Sequence, residues 1–509
     1  MNQLSRREVD QKRTYFRHPL AAVGGAIVLA GLAMFIILTL IDLTSSTDNP
    51  YRSLVTFIGS PTIIILGLIL FFISTRIQIR SARKKGERVK FDFSVTPYDP
   101  KYRWNYWLFV ILSFVLISAV VYSGYRGYEA TDSVSFCGET CHVVMEPQRV
   151  TYRNSPHARV ACVACHIGPG ASFWVKAKVD GLRQLYATAL NTFERPIRTP
   201  VFNLRPAQET CEQCHWPRQF YGQKMVTHTY YRTDEENSPW TVSLLVKIGG
   251  GNPRTGEQEG IHWHMLNHNQ IEYVATDEKR QEIPWVRMVD GNGQVYTYME
   301  PGVEMPDTTD PNTEIRRFDC MDCHNRPSHS FLPPAKGVNL ALSTRRISPE
   351  LPFIREVGLN LLNAEYESKP EALEEIEQEL WRYYREDYPE LAAEKKDIID
   401  QAVETLRNIY RENFFPEMKT DYRARENNLS HFVNDGCFRC HDDTKENVKG
   451  EKLSNACNTC HLIVAQGPSD DVAELSSSIA GLEFQHPEDI DEAWREMKCT
   501  ECHTPESGY

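Results

Sequence analysis

The hydrophobic pattern changes character along the chain. Residues 20–43, 54–74 and 106–124 are near-continuous apolar runs, each close to the about 20 residues a helix needs to cross a bilayer core. They predict three transmembrane helices within 1–125. The first run is full length and a second follows closely, unlike the shorter apolar core and small-residue cleavage site of a signal peptide. From 221 to about 316 polar residues alternate with β-branched and aromatic ones, as over 241–247, punctuated by Gly249, Gly250 and Gly251 and by Gly291 and Gly293. A small β insert is predicted there. Over 349–413 the period is helical, with Leu373, Ile376, Leu380 and Tyr383 on one stripe and Ile398, Ala402, Leu406 and Ile409 on the next. Ser368 and Pro370 mark a helix start.

Charge orients the membrane part. Arg6, Arg7, Lys12, Arg13 and Arg17 precede the first run, and Arg76, Arg80, Arg83, Lys84, Lys85, Arg88 and Lys90 follow the second, whereas 44–51 carries no lysine or arginine. Basic flanks stay in the cytoplasm, so the third helix delivers everything beyond 125 to the opposite side. This predicts a bacterial inner-membrane protein with a cytoplasmic N-terminus and a periplasmic polar domain. A net charge of −12 argues against nucleic acid, whose phosphates require a basic face.

The fourteen cysteines form seven close pairs, each followed directly by histidine: Cys137/Cys141 with His142, Cys162/Cys165 with His166, Cys211/Cys214 with His215, Cys320/Cys323 with His324, Cys437/Cys440 with His441, Cys457/Cys460 with His461 and Cys499/Cys502 with His503. Two thiols for thioether bonds and a neighbouring imidazole for iron are what a c-type haem needs. The first pair has one extra intervening residue and still lets both sulfurs reach one porphyrin edge. Zinc sites and disulfide frameworks use close cysteine pairs too, but neither explains a histidine after every pair. Seven covalent haem c groups are expected. This form of attachment takes place outside the bacterial cytoplasm, in agreement with the charge pattern.

Nine histidines lie outside the motifs: His18, His157, His228, His262, His264, His268, His329, His431 and His486. His18 falls on the cytoplasmic side, leaving eight candidates for the second axial position of seven irons. Iron saturated by two side chains transfers electrons and does not bind substrate. On a strand His262 and His264 would share one face, so only one of them is expected to meet an iron. Met145, three residues past His142, offers a thioether to the first haem, where ligation by His142 or by Met145 stays open. His431 precedes Cys437 and His486 precedes Cys499, each placed to fold back onto an iron.

From 106 to about 334 the chain resembles the NapC/NirT family of membrane-anchored tetrahaem quinol dehydrogenases. The likeness rests on a helix followed by the first pair and Met145, on Asn154, Ser155, Pro156 and His157 before the second pair, and on Cys320, Met321, Asp322, Cys323 and His324 followed by His329. The resemblance implies that His157 and His329 are distal ligands of neighbouring haems. It also implies a quinol pocket beside the first haem, using a lysine and an acidic residue from the segment after the second. Lys176, Lys178 and Asp180 lie there, and Gln184 stands where the family spacing puts the acidic residue. Two extra front helices, the long insert and three further motifs look like the inner-membrane heptahaem quinol oxidoreductases of metal-respiring bacteria.

The expected architecture is therefore a membrane protein with three transmembrane helices and a loop-rich, mainly α periplasmic multihaem cytochrome c domain with a small β insert. Its parts are a membrane domain (1–125), a four-haem domain (126–335) with the insert at about 221–316, a helical scaffold (336–425) and a three-haem domain (426–509). The expected activity takes electrons from the membrane quinol pool, with menaquinol as substrate, and delivers them to periplasmic c-type cytochromes in anaerobic or extracellular-acceptor respiration. A multihaem reductase of a small nitrogen or sulfur oxyanion is the alternative. It needs an iron with an open face, often marked by lysine in place of the motif histidine, and every motif here has histidine.

Overall fold

A computed structural model describes residues 19–44, 55–84, 103–167, 171–199, 206–216, 220–249, 260–266, 269–307, 310, 313–468, 474–476, 478 and 480–504. His18, His268, the basic residues of 6–17 and 85–90 and most of the 44–51 loop lie outside these, as do the side chains of Arg83 and His142. The chain divides into two compact units, Met1–Met145 with Ala161–Val163, and Glu146–Val160 with Ala164–Tyr509.

The first unit contains helices α1 (Pro19–Thr44), α2 (Ser60–Lys84) and α3 (Arg103–Asp132). Among the described residues two stretches are long and apolar enough to cross a membrane, Leu20–Ile41 and Val55–Gln78, with mean hydropathies of 2.5 and 2.3. α1 and α2 pack through glycines: a Cβ on Gly24 would stand 2.8 Å from the Phe71 nitrogen, and one on Gly67 would stand 2.9 Å from the Val28 nitrogen. Such backbone contact is how helices associate where lipid removes the hydrophobic drive. Buried Phe57 meets Phe35 and Tyr122 edge-on, with centroids 6.4 and 6.2 Å away, and the Arg126 guanidinium lies 5.5 Å from its ring centre. α3 is 30 residues long and exposes Trp107, Ile111, Phe114, Val120 and Val121.

The second unit opens with most of α4 (His142–Arg153) and with α5 (Ala171–Ala189). One antiparallel sheet has the order β1-β2-β7-β8: β1 (Gln223–Tyr231) and β2 (Pro239–Lys247) form a hairpin that continues into β7 (His461–Pro468) and β8 (Glu474–Leu475). The other has the order β5-β4-β3-β6, from β3 (Gln270–Val274), β4 (Trp285–Val289), β5 (Val295–Met299) and β6 (Arg316–Arg317). The first sheet corrects the sequence reading. The β structure is not confined to 221–316, nor is 426–509 separate from it, because the strand that begins at His461 pairs along β2. Within it Ile463 and Ala465 are core residues, and Gln466 is buried too. The second sheet is stitched to the same C-terminal segment. Met299 and Glu446 exchange backbone hydrogen bonds of 3.0 Å, and the buried Lys445 ammonium lies 3.1 Å from Glu300 and 2.7 Å from Asp442.

Helices α6 (Pro334–Ser343), α7 (Ile354–Asn363), α8 (Lys369–Asp387) and α9 (Lys396–Asn413) form the scaffold. Ser368 starts α8 as expected: its side chain accepts from the Glu371 N–H while the Glu371 carboxylate accepts from the Ser368 N–H. Val338, Leu342, Ile354, Ile376, Leu380 and Leu406 are wholly buried. Tyr384 and Ile399 take the buried positions that periodicity assigned to Tyr383 and Ile398, Tyr384 donating 2.9 Å to the Pro352 carbonyl.

Candidate haem-binding sites

The motifs share a local geometry that follows from their spacing. In the third, fourth, fifth and seventh, the histidine N–H donates to the carbonyl of the first cysteine, at 2.8, 2.8, 3.0 and 2.8 Å for His215, His324, His441 and His503. One helical turn thus brings both thiols and the imidazole together, as covalent attachment and ligation require. None of the fourteen cysteines is in a disulfide. Neighbouring motifs also touch, with one thiol–thiol hydrogen bond joining Cys137 to Cys162 and another joining Cys211 to Cys320.

Spacing treats the fourteen thiols alike, and the structure does not. Burial pushes the Cys323 thiol up to about 12 and those of Cys440 and Cys460 up to about 11. Among the second cysteines of the other motifs, Cys165, Cys214 and Cys502 are exposed. The short helical turns Cys162–His166, Cys211–Gln213, Cys457–Thr459 and Cys499–Cys502 bury none of their residues, and Cys141 falls in the turn between the helix Val134–Glu139 and α4. The turn Cys320–Cys323, by contrast, sinks Asp322 into the interior. Thioether formation needs a reachable sulfur, so Cys165, Cys214 and Cys502 suit attachment from the solvent side, while their partners in each motif are half-buried.

Six motif histidines face a second imidazole. Ring centroids lie 6.3 Å apart for His166 and His329, 6.1 Å for His215 and His157, and 6.3 Å for His324 and His262. They lie 5.9 Å apart for His441 and His264, 6.1 Å for His461 and His431, and 6.2 Å for His503 and His486. A metal bound about 2.0 Å from one nitrogen of each ring would separate the centroids by roughly 6.3 Å. Each gap therefore fits one iron. Among the described residues no group of three or more His, Cys, Asp or Glu is arranged around a single ion. Two opposed imidazoles suit an iron whose equatorial positions belong to a porphyrin, whereas zinc takes four protein donors.

Five of these rings use their other nitrogen as ligand histidines do. Nδ1 of His157 donates 3.0 Å to the Pro327 carbonyl, that of His329 3.0 Å to Gln148, that of His262 2.9 Å to Ile248, that of His264 2.9 Å to Ile261 and that of His441 3.2 Å to Ser454. Such bonds fix the tautomer and leave Nε2 as the free donor. Burial lowers the pKa of His166, His262, His324, His431, His441 and His503 below the ordinary imidazole value, and takes His264, His329 and His461 to about 4. These rings are neutral, the form that binds metal.

One ligand expectation is corrected. His262 and His264 both face a motif histidine, because they lie on a 3₁₀ turn, Ile261–Met265, and not on a strand. His228 is exposed on β1 with Tyr230 as its ring neighbour, at 6.1 Å, and faces no motif histidine among the described residues. At the first motif, His142 and Met145 stand three apart at the start of α4.

The residues implied for quinol lie on α5. Lys176, Asp180 and Gln184 follow one another at helical i, i+4 spacing and are exposed, while half-buried Lys178 belongs to another face. A second stripe of α5 exposes Val175, Val179, Leu182 and Tyr186.

Sequence reading missed a buried polar cluster at the fourth motif. Asp322 Oδ1 accepts from the Tyr273 hydroxyl at 2.5 Å and from Arg316 Nε at 3.0 Å, and Oδ2 accepts from the Asp319 N–H at 2.6 Å. Burial, then the charge and hydrogen bond of Asp322, push the Tyr273 hydroxyl pKa up. Burial works against the Arg316 cation, but Asp322 outweighs it and the Arg316 pKa rises. Arg439, within the fifth motif, donates to the Asp322 and Arg280 carbonyls. The one signal in the sequence was that Asp322 and Arg439 occupy the same position between the paired cysteines of their motifs.

Residues 99–200 match the N-terminal region of the NapC/NirT cytochrome c family. The chain is 38% identical over 495 residues to the cytochrome c-type protein ImcH of Geobacter sulfurreducens, an alignment covering 96% of this chain and 95% of that protein. A stretch of 134 residues is 25% identical to the cytochrome c-type protein TorC of Escherichia coli K12, covering 23% of this chain and 34% of that one. No solved structure matches.

Proposed function

Because this chain belongs to the NapC/NirT cytochrome c family, with ImcH as a relative along almost its full length, we propose that it oxidises menaquinol at the periplasmic face of the inner membrane and relays the electrons to periplasmic c-type cytochromes. The observation that carries this reading is the opposition of two imidazoles at six motifs. With both axial positions taken, those sites conduct electrons and leave no face for an oxyanion, which counts against the reductase alternative. When bound, seven haems supply a file of one-electron carriers reaching farther than one site could.

α3 is the third membrane span in this reading. Its exposed aromatic and aliphatic residues suit lipid, and Trp104 and Trp107 suit the headgroup level. The exposed apolar stripe of α5 suits the membrane surface, where a lipid-soluble quinol arrives. On its polar face Lys176 holds the quinone oxygen and Asp180 accepts a proton, while Gln184 stands where a second base would be, so Asp180 carries that role alone. No histidine occurs within 20–43, 54–74 or 106–124, so haem ligation inside the bilayer has no residues to use, and quinol oxidation here is electroneutral. The acidic periplasmic part presents a surface for basic cytochrome acceptors, in anaerobic or extracellular-acceptor respiration.

The test is anaerobic addition of a menaquinol analogue to the detergent-purified protein, following the reduced haem bands. Rapid reduction, slowed at least tenfold by Asp180→Asn or Lys176→Ala with all seven haems retained, supports the reading. An intact seven-haem protein that never reduces refutes it.

A further inference from the structure

We infer that the single turn Ile261–Met265 carries the distal ligands of two different irons, His262 for the haem of the fourth motif and His264 for that of the fifth. This rests on the reading that the motifs hold haem. In a 3₁₀ turn, with 3.0 residues per turn, side chains two apart diverge by roughly 120°, whereas on a strand they would point the same way. The His262 ring lies parallel to His324 within 9°, and the His264 ring stands at 86° to His441. Each donates its Nδ1 proton to a backbone carbonyl, Ile248 for one and Ile261 for the other, so both present Nε2 to their partners.

The turn is held as a designed element would be. Gly260 enters it at φ +95°, where a Cβ would stand 2.6 Å from the Lys247 carbonyl, a place only glycine fills. The His262 N–H donates 3.0 Å to the Gly249 carbonyl at the end of β2, and the Asn269 side chain donates 3.1 Å to the Trp263 carbonyl. Trp263, between the two histidines, packs on the core of Ile271, Tyr273, Ile283 and Val286, and Phe318 and Cys440 of the flanking motif segments pack on that core as well. One small core thus positions the turn and both motifs. The insert between the third and fourth motifs becomes the joint between the family-like four-motif part and the C-terminal three.

The experiment uses full-length protein matured with haem and purified in detergent, as His262→Met, His264→Met and the double variant, with His228→Met as a control. Intact mass counts covalent haems. Near-infrared magnetic circular dichroism and electron paramagnetic resonance count bis-histidine and histidine–methionine irons. Each single variant should keep seven haems and convert one iron, the double should convert two, and the control none. Should methionine disturb the turn, alanine at either position should open one iron that added imidazole closes again. Seven haems with an unchanged spectrum in either single variant, or a double no different from one single, overturns the assignment. Parent protein without covalent haem by mass would instead overturn the reading on which it rests.

Discussion

Tyr273→Phe removes one hydroxyl from a site whose fourth-motif carboxylate keeps its other partners. The Asp322 side chain would still accept from Arg316 Nε and the Asp319 N–H, so no group is stranded and the cost is one hydrogen bond to a charged acceptor, about 1.5–3 kcal/mol. Asp322→Ala is harsher: it leaves the Tyr273 hydroxyl without its acceptor and the Arg316 guanidinium with only Asp319, 3.4 Å away, where Tyr273 is 1% and Asp322 3% exposed, for about 3 kcal/mol. Asp322→Asn, which keeps an acceptor and loses the charge, falls between. The loss is local, so amide hydrogen exchange across β3 and β4 is the assay. A cost of about 2 kcal/mol is roughly a thirtyfold rise in exchange rate for Tyr273→Phe. The double variant Tyr273→Phe/Asp322→Asn should show a coupling of at least about 0.5 kcal/mol. Exchange within about twofold of the parent in both Tyr273→Phe and Asp322→Ala would show that the cluster does not clamp the sheet to the motif, and the reasoning fails.

Three further outcomes are expected. Gly67→Leu should separate α1 from α2, because its Cβ would press on the Val28 nitrogen and the Gly24 carbonyl; overpacking of this kind costs about 1–3 kcal/mol and lowers the melting temperature in detergent. Gly436→Ala should leave the protein one covalent haem short by intact mass, since Gly436 has φ +51° and its Cβ would fall 2.0 Å from the Ser430 carbonyl, just ahead of Cys437. Leu380→Ala, at a wholly buried scaffold position, should cost about 3 kcal/mol in denaturant titration followed by helix circular dichroism, with the haem spectrum of the folded protein unchanged.

Much of this protein is legible without its fold because the decisive signals are local. Apolar runs of spanning length, seven Cys/Cys/His motifs and the Ser368 helix start need only neighbours in sequence. So does the placement of Lys176, Asp180 and Gln184 on one stripe, once α5 is a helix. Periodicity also found the scaffold, missing by one residue at Tyr384 and Ile399, where the helices rotate to meet each other. Spacing could not tell the deep thiols of Cys323, Cys440 and Cys460 from the outward ones of Cys165, Cys214 and Cys502, because depth depends on what packs over a motif and not on the motif itself.

What the chain could not reveal by itself is which remote group meets which. An axial pair needs two imidazoles on opposite sides of one iron, and His262 with His324, or His431 with His461 of the motif beyond its neighbour, are brought together only by folding. Whether His262 and His264 share a face depended on backbone conformation, and that was settled by Gly260 at positive φ and by hydrogen bonds to residues 248 and 249. The strand after His461 likewise found its partner in β2, because its buried positions needed a sheet that its own segment does not contain. Local spacing determined that haem would be held; tertiary packing decided by which pairs, since ligation is a convergence of side chains and no linear pattern encodes convergence.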